Sequence, residues 1–153
     1  MMKLRMKPSR IRWRARCGVA AVEFALIASL VLVPIVLGAI DVGRFINVGQ
    51  IVNDASREGA RQASRNTVKN VSDVDTVVLN YLRDAFGDPN LTATVNVSGN
   101  SGAPISGGDL TTISSGFPVS VKVDLEYDKV RWLVYFPFLN GKTLTTKTVM
   151  RRE

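Results

Sequence analysis

From Val19 to Ile40 the chain reads VAAVEFALIASLVLVPIVLGAI, apolar on every side, with Glu23 its one charge. These 22 residues make about 33 Å of helix, enough to cross the hydrocarbon core of a bilayer. Past Asp41 the apolar positions narrow to one face. Phe45, Val48, Val52, Ala55 and Gly59 recur at three- and four-residue steps, the spacing of a helix that buries one side. Asp54, Arg57, Glu58, Arg61 and Arg65 mark the solvated flank, with Glu58 and Arg61 spaced to pair. The pattern predicts a nearly continuous helix from Val19 to Arg65, about 70 Å long. Pro34 sits inside it as a kink that a helix in lipid tolerates.

A second helix is predicted over Val74–Phe86, with Val74, Val77, Val78, Tyr81, Leu82 and Ala85 on one stripe and Gly87 and Pro89 as its stop. Period-two alternation follows in three places: Ala93, Val95 and Val97; Val119, Val121, Val123, Leu125 and Tyr127; Leu144, Thr146, Thr148 and Met150. The Gly- and Ser-rich stretch 98–116 reads as a flexible hairpin connection. The fold class is α+β: a long N-terminal transmembrane helix continuing into a stalk, with a small antiparallel-sheet head packed on the helices. Four regions follow: a basic cytoplasmic leader (1–18), a transmembrane helix (19–40), a helical stalk (41–65) and an extracytoplasmic α+β head (66–153). The apolar run Trp132, Leu133, Val134, Tyr135, Phe136, Pro137 and Phe138 reads as core or membrane-surface packing ahead of a docking patch. Asp124, Glu126 and Asp128 alternate as a solvated strand face does.

Charge adds the orientation. The formal net charge is +7, and seven basic residues with no acid precede Gly18. Beyond Gly18, thirteen Lys/Arg balance thirteen Asp/Glu. The excess is therefore a leader that stays cytoplasmic next to a first apolar helix, not a nucleic-acid footprint. The chain has no histidine and a single cysteine, Cys17. That excludes histidine-dependent catalysis, thiolate or imidazole metal clusters and an intramolecular disulfide. No catalytic constellation or cofactor site is predicted.

Gly18 and Glu23 stand where basic leader meets apolar run. A signal peptide cut near Val36 or Gly38, or a plain anchor, accounts for the apolar stretch but not for this glycine and this acid. An acid inside a membrane-length helix costs roughly 2.5–3.5 kcal/mol on insertion scales. The sharper reading is a prepilin signal with the cut between Gly18 and Val19. The freed amine of Val19, with a reference pKa of about 7.7–8.0, lies one helical turn from Glu23. Glu23 then pairs with that amine in its own chain or in a neighbouring subunit, setting register.

The stretch AAVEFALIASLVLVPIVLGAIDVGRF, followed by NDASREGARQAS, resembles the TadE-like family of pseudopilins and minor pilins of tight-adherence (Flp) pilus assembly. The matching positions are Gly18, Ala20, Ala21, Val22, Glu23 and Phe24, then Gly43 and Arg44, then Ala55, Arg57, Glu58, Gly59, Ala60 and Arg61. The ending TTKTVMRRE is similar to that family's closing strand. The resemblance implies a cut after Gly18 by a prepilin peptidase (an aspartic membrane protease), with Glu23 and Phe24 serving recognition and assembly. It also implies an inner-membrane, single-pass protein whose partners are other pilin or pseudopilin subunits and the tight-adherence machinery. It does not separate TadE from TadF type. Ala55, Gly59 and Ala63 form a small-xxx-small ladder, read as packing on the protein's own sheet ahead of packing between subunits. The alternative is an uncleaved single-pass envelope protein whose head binds a ligand or partner.

Overall fold

The computed structural model describes residues 14–99, 102–105, 108–131 and 139–153, and side chains from residue 18 onward. The basic leader ahead of residue 14, the side chain of Cys17 and the aromatic run 132–138 lie outside the described residues. Two helices and three strands follow in the order α1 (Arg14–Ser64), α2 (Val71–Phe86), β1 (Thr94–Ser98), β2 (Pro118–Glu126) and β3 (Thr143–Arg151). The fold is α+β. It divides into two compact units, one ending at Ala39 and the other running Ile40–Glu153.

In the first unit α1 carries apolar side chains all round. Val19 and Phe24 are 68% and 74% exposed, and Leu26, Leu30, Leu32 and Ile35 are similarly bare. A helix apolar on every side belongs in a non-aqueous surround. It is long and apolar enough to cross a membrane, with a mean hydropathy of 2.5 in its most apolar window. The Ser29 hydroxyl is satisfied within the helix, donating to the Ala25 carbonyl at 2.7 Å.

In the second unit the rest of α1 becomes amphipathic. Val48, Val52, Ala55, Gly59, Ala60 and Ala63 are buried, and Phe45 is half-buried against them. The sheet is antiparallel, in the order β1-β2-β3. Central β2 buries Val119, Val121, Val123 and Leu125 completely, each worth roughly 1.5–3 kcal/mol against exposure. Thr148 and Met150 of β3 pair with Val121 and Val119, and their side chains remain half-buried. A buried Ser56 hydroxyl on α1 joins helix to sheet, 3.1 Å from the Val121 carbonyl and 2.9 Å from Thr148 Oγ1.

Helix α2 starts three residues before the predicted Val74. Asn70 occupies the N-cap position and Asp73 places a negative charge in the first turn, where the helix dipole favours it. It ends at Gly87, whose φ of 68° permits the left-handed cap and whose N–H bonds to the Arg83 carbonyl at 2.8 Å. Its buried stripe is narrower than predicted. Val74, Val78 and Leu82 are buried, whereas Val77 is half-buried and Tyr81 and Ala85 are exposed. Tyr127 also departs from the reading as a strand residue. β2 stops at Glu126, and a single 3-10 turn, Tyr127–Lys129, swings the tyrosine fully inside.

The connection between β1 and β2 is pinned at several points. Leu110 is fully buried in a 3-10 turn, Leu110–Thr112, capped by Asp109. Its N–H donates to the Lys69 carbonyl at 2.8 Å, tying the segment to the α1–α2 loop. The N–H and hydroxyl of Thr111 hold the Asp109 carboxyl below the usual range, outweighing the opposing effect of burial.

Candidate functional site

Two groups of residues carry the chemistry of interest. The first lies on α1 around the junction of leader and apolar run. An added Cβ at Gly18 would meet no atom within 4 Å. Among the described residues nothing packs where that side chain would go, although glycine inside a helix costs about 1 kcal/mol relative to alanine. Gly59 is the opposite case. A Cβ there would stand 2.5 Å from Val78 Cγ2 and 3.3 Å from Val121 Cγ1, so the glycine is the spacer that lets α1 seat between α2 and the sheet. Ala55 and Ala63 are buried in the same unit. Val19, Glu23 and Phe24 are exposed helical side chains, and Glu23 follows Val19 by four residues, on the same helix face.

The second group was not legible as a group in the sequence. Asp41, the first acid after the apolar run, is buried with a side chain 2% exposed. Its Oδ2 accepts from Arg131 Nη2 at 3.2 Å, and that arginine's side chain is 3% exposed. Its Oδ1 accepts from the Tyr127 hydroxyl at 3.2 Å, and Arg131 Nη1 also donates to Asn140 Oδ1. Phe45 stacks edge-on against Tyr127, ring centroids 5.1 Å apart, and the Arg44 guanidinium lies over the Phe86 ring at 5.8 Å. Burial pushes the Tyr127 hydroxyl pKa up, and the Asp41 charge and hydrogen bond add to this; Arg131 and Arg44 offset part of it. The cluster ties the first turns of the head's share of α1 to the chain after β2. It is a structural lock, in which buried Asp41 and Tyr127 are bonded to each other and Asp41 to Arg131.

The acids read as a solvated strand face are engaged. Asp124 accepts from Lys122 Nζ at 2.9 Å and from Thr145 Oγ1 at 2.5 Å. Burial raises its pKa, but these two hydrogen bonds and the lysine charge outweigh that and leave it below the usual carboxylate range. Asp128 accepts from the Gly141 N–H at 2.8 Å, and Glu126 lies 3.6 Å from Lys129. Among the described residues, no group of three or more His, Cys, Asp or Glu is placed to hold a metal ion. Arg152 is a further buried cation the sequence did not flag. Its Nη2 donates to the Val68 carbonyl at 3.1 Å, closing the head around the α1–α2 loop.

No curated protein and no solved structure matches the chain. A family model does match, over the segment that carries both Gly18 and Gly59. Residues 18–61 of this chain are a TadE-like segment, matching the family described as TadE-like protein.

Proposed function

We propose that the protein is a structural, non-enzymatic pseudopilin or minor pilin of Flp-type pilus assembly, cleaved between Gly18 and Val19 by a prepilin peptidase. The TadE-like match over residues 18–61 supports the pilus class. The observation that carries the cleavage reading is the setting of Gly18. Gly59 is demanded by packing, whereas Gly18 has open space where a side chain would go. Gly43 is equally open; what supports a cut at Gly18 is that its open position falls at the seam of basic leader and apolar run, five residues before Glu23.

On this reading the leader remains in the cytoplasm, the apolar part of α1 crosses the inner membrane once and the head lies outside. Glu23 then sits in lipid one turn from the new amino terminus. A charge there is tolerable only when paired. The Val19 amine of the same or an adjacent subunit neutralises it, and so fixes the axial register of packed helices. Phe24, bare on the next helix position, is apolar surface for the same packing. The partners are the peptidase, other pilin or pseudopilin subunits and the tight-adherence machinery.

The test is intact-mass measurement with N-terminal mapping, on protein from its native host and from a strain lacking prepilin peptidase. A mature chain beginning at Val19 is expected in the host alone, and Gly18→Leu should accumulate at full length. A retained leader in both strains refutes the cleavage and leaves an uncleaved anchor; a start near Ala39 refutes the membrane-resident subunit.

A further inference from the structure

The two edges of the head's sheet differ. On β1 the chain covers its own edge: the Ile105 N–H donates to the Val97 carbonyl at 3.1 Å, and Ser98 bridges Pro104. On β3 the register is unbroken for nine residues, Thr143 through Arg151, without bulge or proline. The bonded pairs can be assigned from the two ends of the ladder. The Tyr127 N–H donates to the Lys142 carbonyl and the Arg152 N–H to the Phe117 carbonyl, each at 2.9 Å. In an antiparallel ladder bonded pairs alternate. Leu144, Thr146, Thr148 and Met150 therefore turn their backbone groups toward β2. Thr143, Thr145, Lys147, Val149 and Arg151 turn theirs to the open side, where no other described strand lies. Long, flat edges of this kind are templates for another strand.

The core is open on the same side. The inward residues of β2 are fully buried, whereas Leu144, Thr146, Thr148 and Met150 are only partly buried. Helix α1 covers them from one flank: Leu144 Cδ2 lies 3.9 Å from the site of a Gly49 Cβ, and Ser56 bonds Thr148. Elsewhere on α1, Ile46 is 57% exposed and Arg57 is exposed. A fourth strand beside β3 would complete the layer beneath α1.

Charge selects the occupant. β3 contains no acid, and Lys147 and Arg151 stand exposed on its outer face, with Lys142 just before it. A second copy is disfavoured, because a symmetric antiparallel pairing of Thr143–Arg151 sets Lys147 opposite Lys147. We infer that the open edge of β3 is a docking site for an extended segment of another protein chain bearing carboxylates at alternate positions, added as a fourth strand. Main-chain hydrogen bonds from Thr145, Lys147 and Val149 supply affinity, and the basic side chains supply selection.

The experiment uses the full chain in detergent micelles and a nine-residue peptide alternating valine and glutamate, read by residue-resolved amide hydrogen exchange. The expected result is slowing of exchange at Thr145, Lys147 and Val149 by about tenfold or more. The matching valine–lysine peptide should give no slowing. Val149→Pro removes one outward N–H and none of the bonds to β2, and should weaken the effect; near-UV circular dichroism verifies its fold. Lys147→Glu with Arg151→Glu leaves the backbone untouched and should exchange the preference to the lysine peptide. No slowing with the glutamate peptide overturns the inference, as does equal slowing with the lysine peptide. Protection that rises with protein concentration and needs no peptide also overturns it, in favour of self-pairing. None of these readouts depends on cleavage at Gly18 or on the pilus assignment.

Discussion

Gly59→Ala isolates the packing of α1 against the rest of the head. The new methyl would lie 2.5 Å from Val78 Cγ2, 3.3 Å from Val121 Cγ1 and 3.6 Å from Val74 Cγ1. All three belong to β-branched side chains held in single rotamers, so none swings aside cheaply. Overpacking of this kind costs about 1–3 kcal/mol. Alanine's better helix propensity returns about 0.8–1.0 kcal/mol. The 2.5 Å approach puts this site at the upper end of that range, so the net expectation is a loss of about 2 kcal/mol, a fall in Tm of roughly 8 °C for a unit of this size. The assay is thermal unfolding of the full chain in micelles, followed by near-UV circular dichroism. Gly43→Ala is the control, since an added Cβ there meets nothing within 4 Å; it should be neutral or stabilising by up to about 1 kcal/mol. Val78→Ala removes the closest clashing atom, so the double variant should be more stable than the sum of the singles by about 1 kcal/mol. An unchanged or raised Tm for Gly59→Ala, or strict additivity with Val78→Ala, would refute the reasoning.

Three further outcomes are expected. Asp41→Ala removes the buried carboxylate that accepts from both Arg131 and Tyr127 and should destabilise the head by about 1–3 kcal/mol, as chemical denaturation would record. Burial raises the pKa of Asp75, and its Oδ1 has no hydrogen-bond partner among the described residues. The folded state therefore binds that proton more tightly than the unfolded chain. Its contribution is fully present below the ordinary carboxylate pKa and is lost as pH rises through the raised value. Asp75→Asn should accordingly raise Tm at pH 7 and flatten the decline above pH 4, as a pH series of melting curves would reveal. Glu23→Ala should be processed to the Val19 start yet fail to enter pili; normal piliation counted by electron microscopy would remove the pairing role assigned to Glu23.

Much of the architecture was readable because it rests on local periodicity. The change from all-round apolarity to a single stripe near Asp41 lies beside the division between the two compact units, after Ala39. The alternation in β2 places four consecutive inward positions in the core. Where local pattern misled, a tertiary contact was responsible. Tyr81 and Ala85 match the helical stripe of α2, but only Val74, Val78 and Leu82 of that stripe are fully buried. Tyr127 continues the strand alternation, yet the turn after Glu126 carries it toward Asp41, 86 residues away. The 98–116 connection looks flexible by composition, while Leu110 inside it is a core residue.

The sequence by itself determined the membrane-length helix, its basic flank, the candidate cut at Gly18, the TadE-like segment and the class of head. All are encoded in neighbouring residues, by hydropathy, charge asymmetry and period. Tertiary structure alone decided the Asp41–Tyr127–Arg131 lock, the buried Arg152, the different needs for Gly18 and Gly59, and the covered β1 edge beside the open β3 edge. Each depends on atoms far apart in the chain. A lone aspartate or arginine reads the same whether it will face water or a buried partner, and only the folded chain supplies that partner.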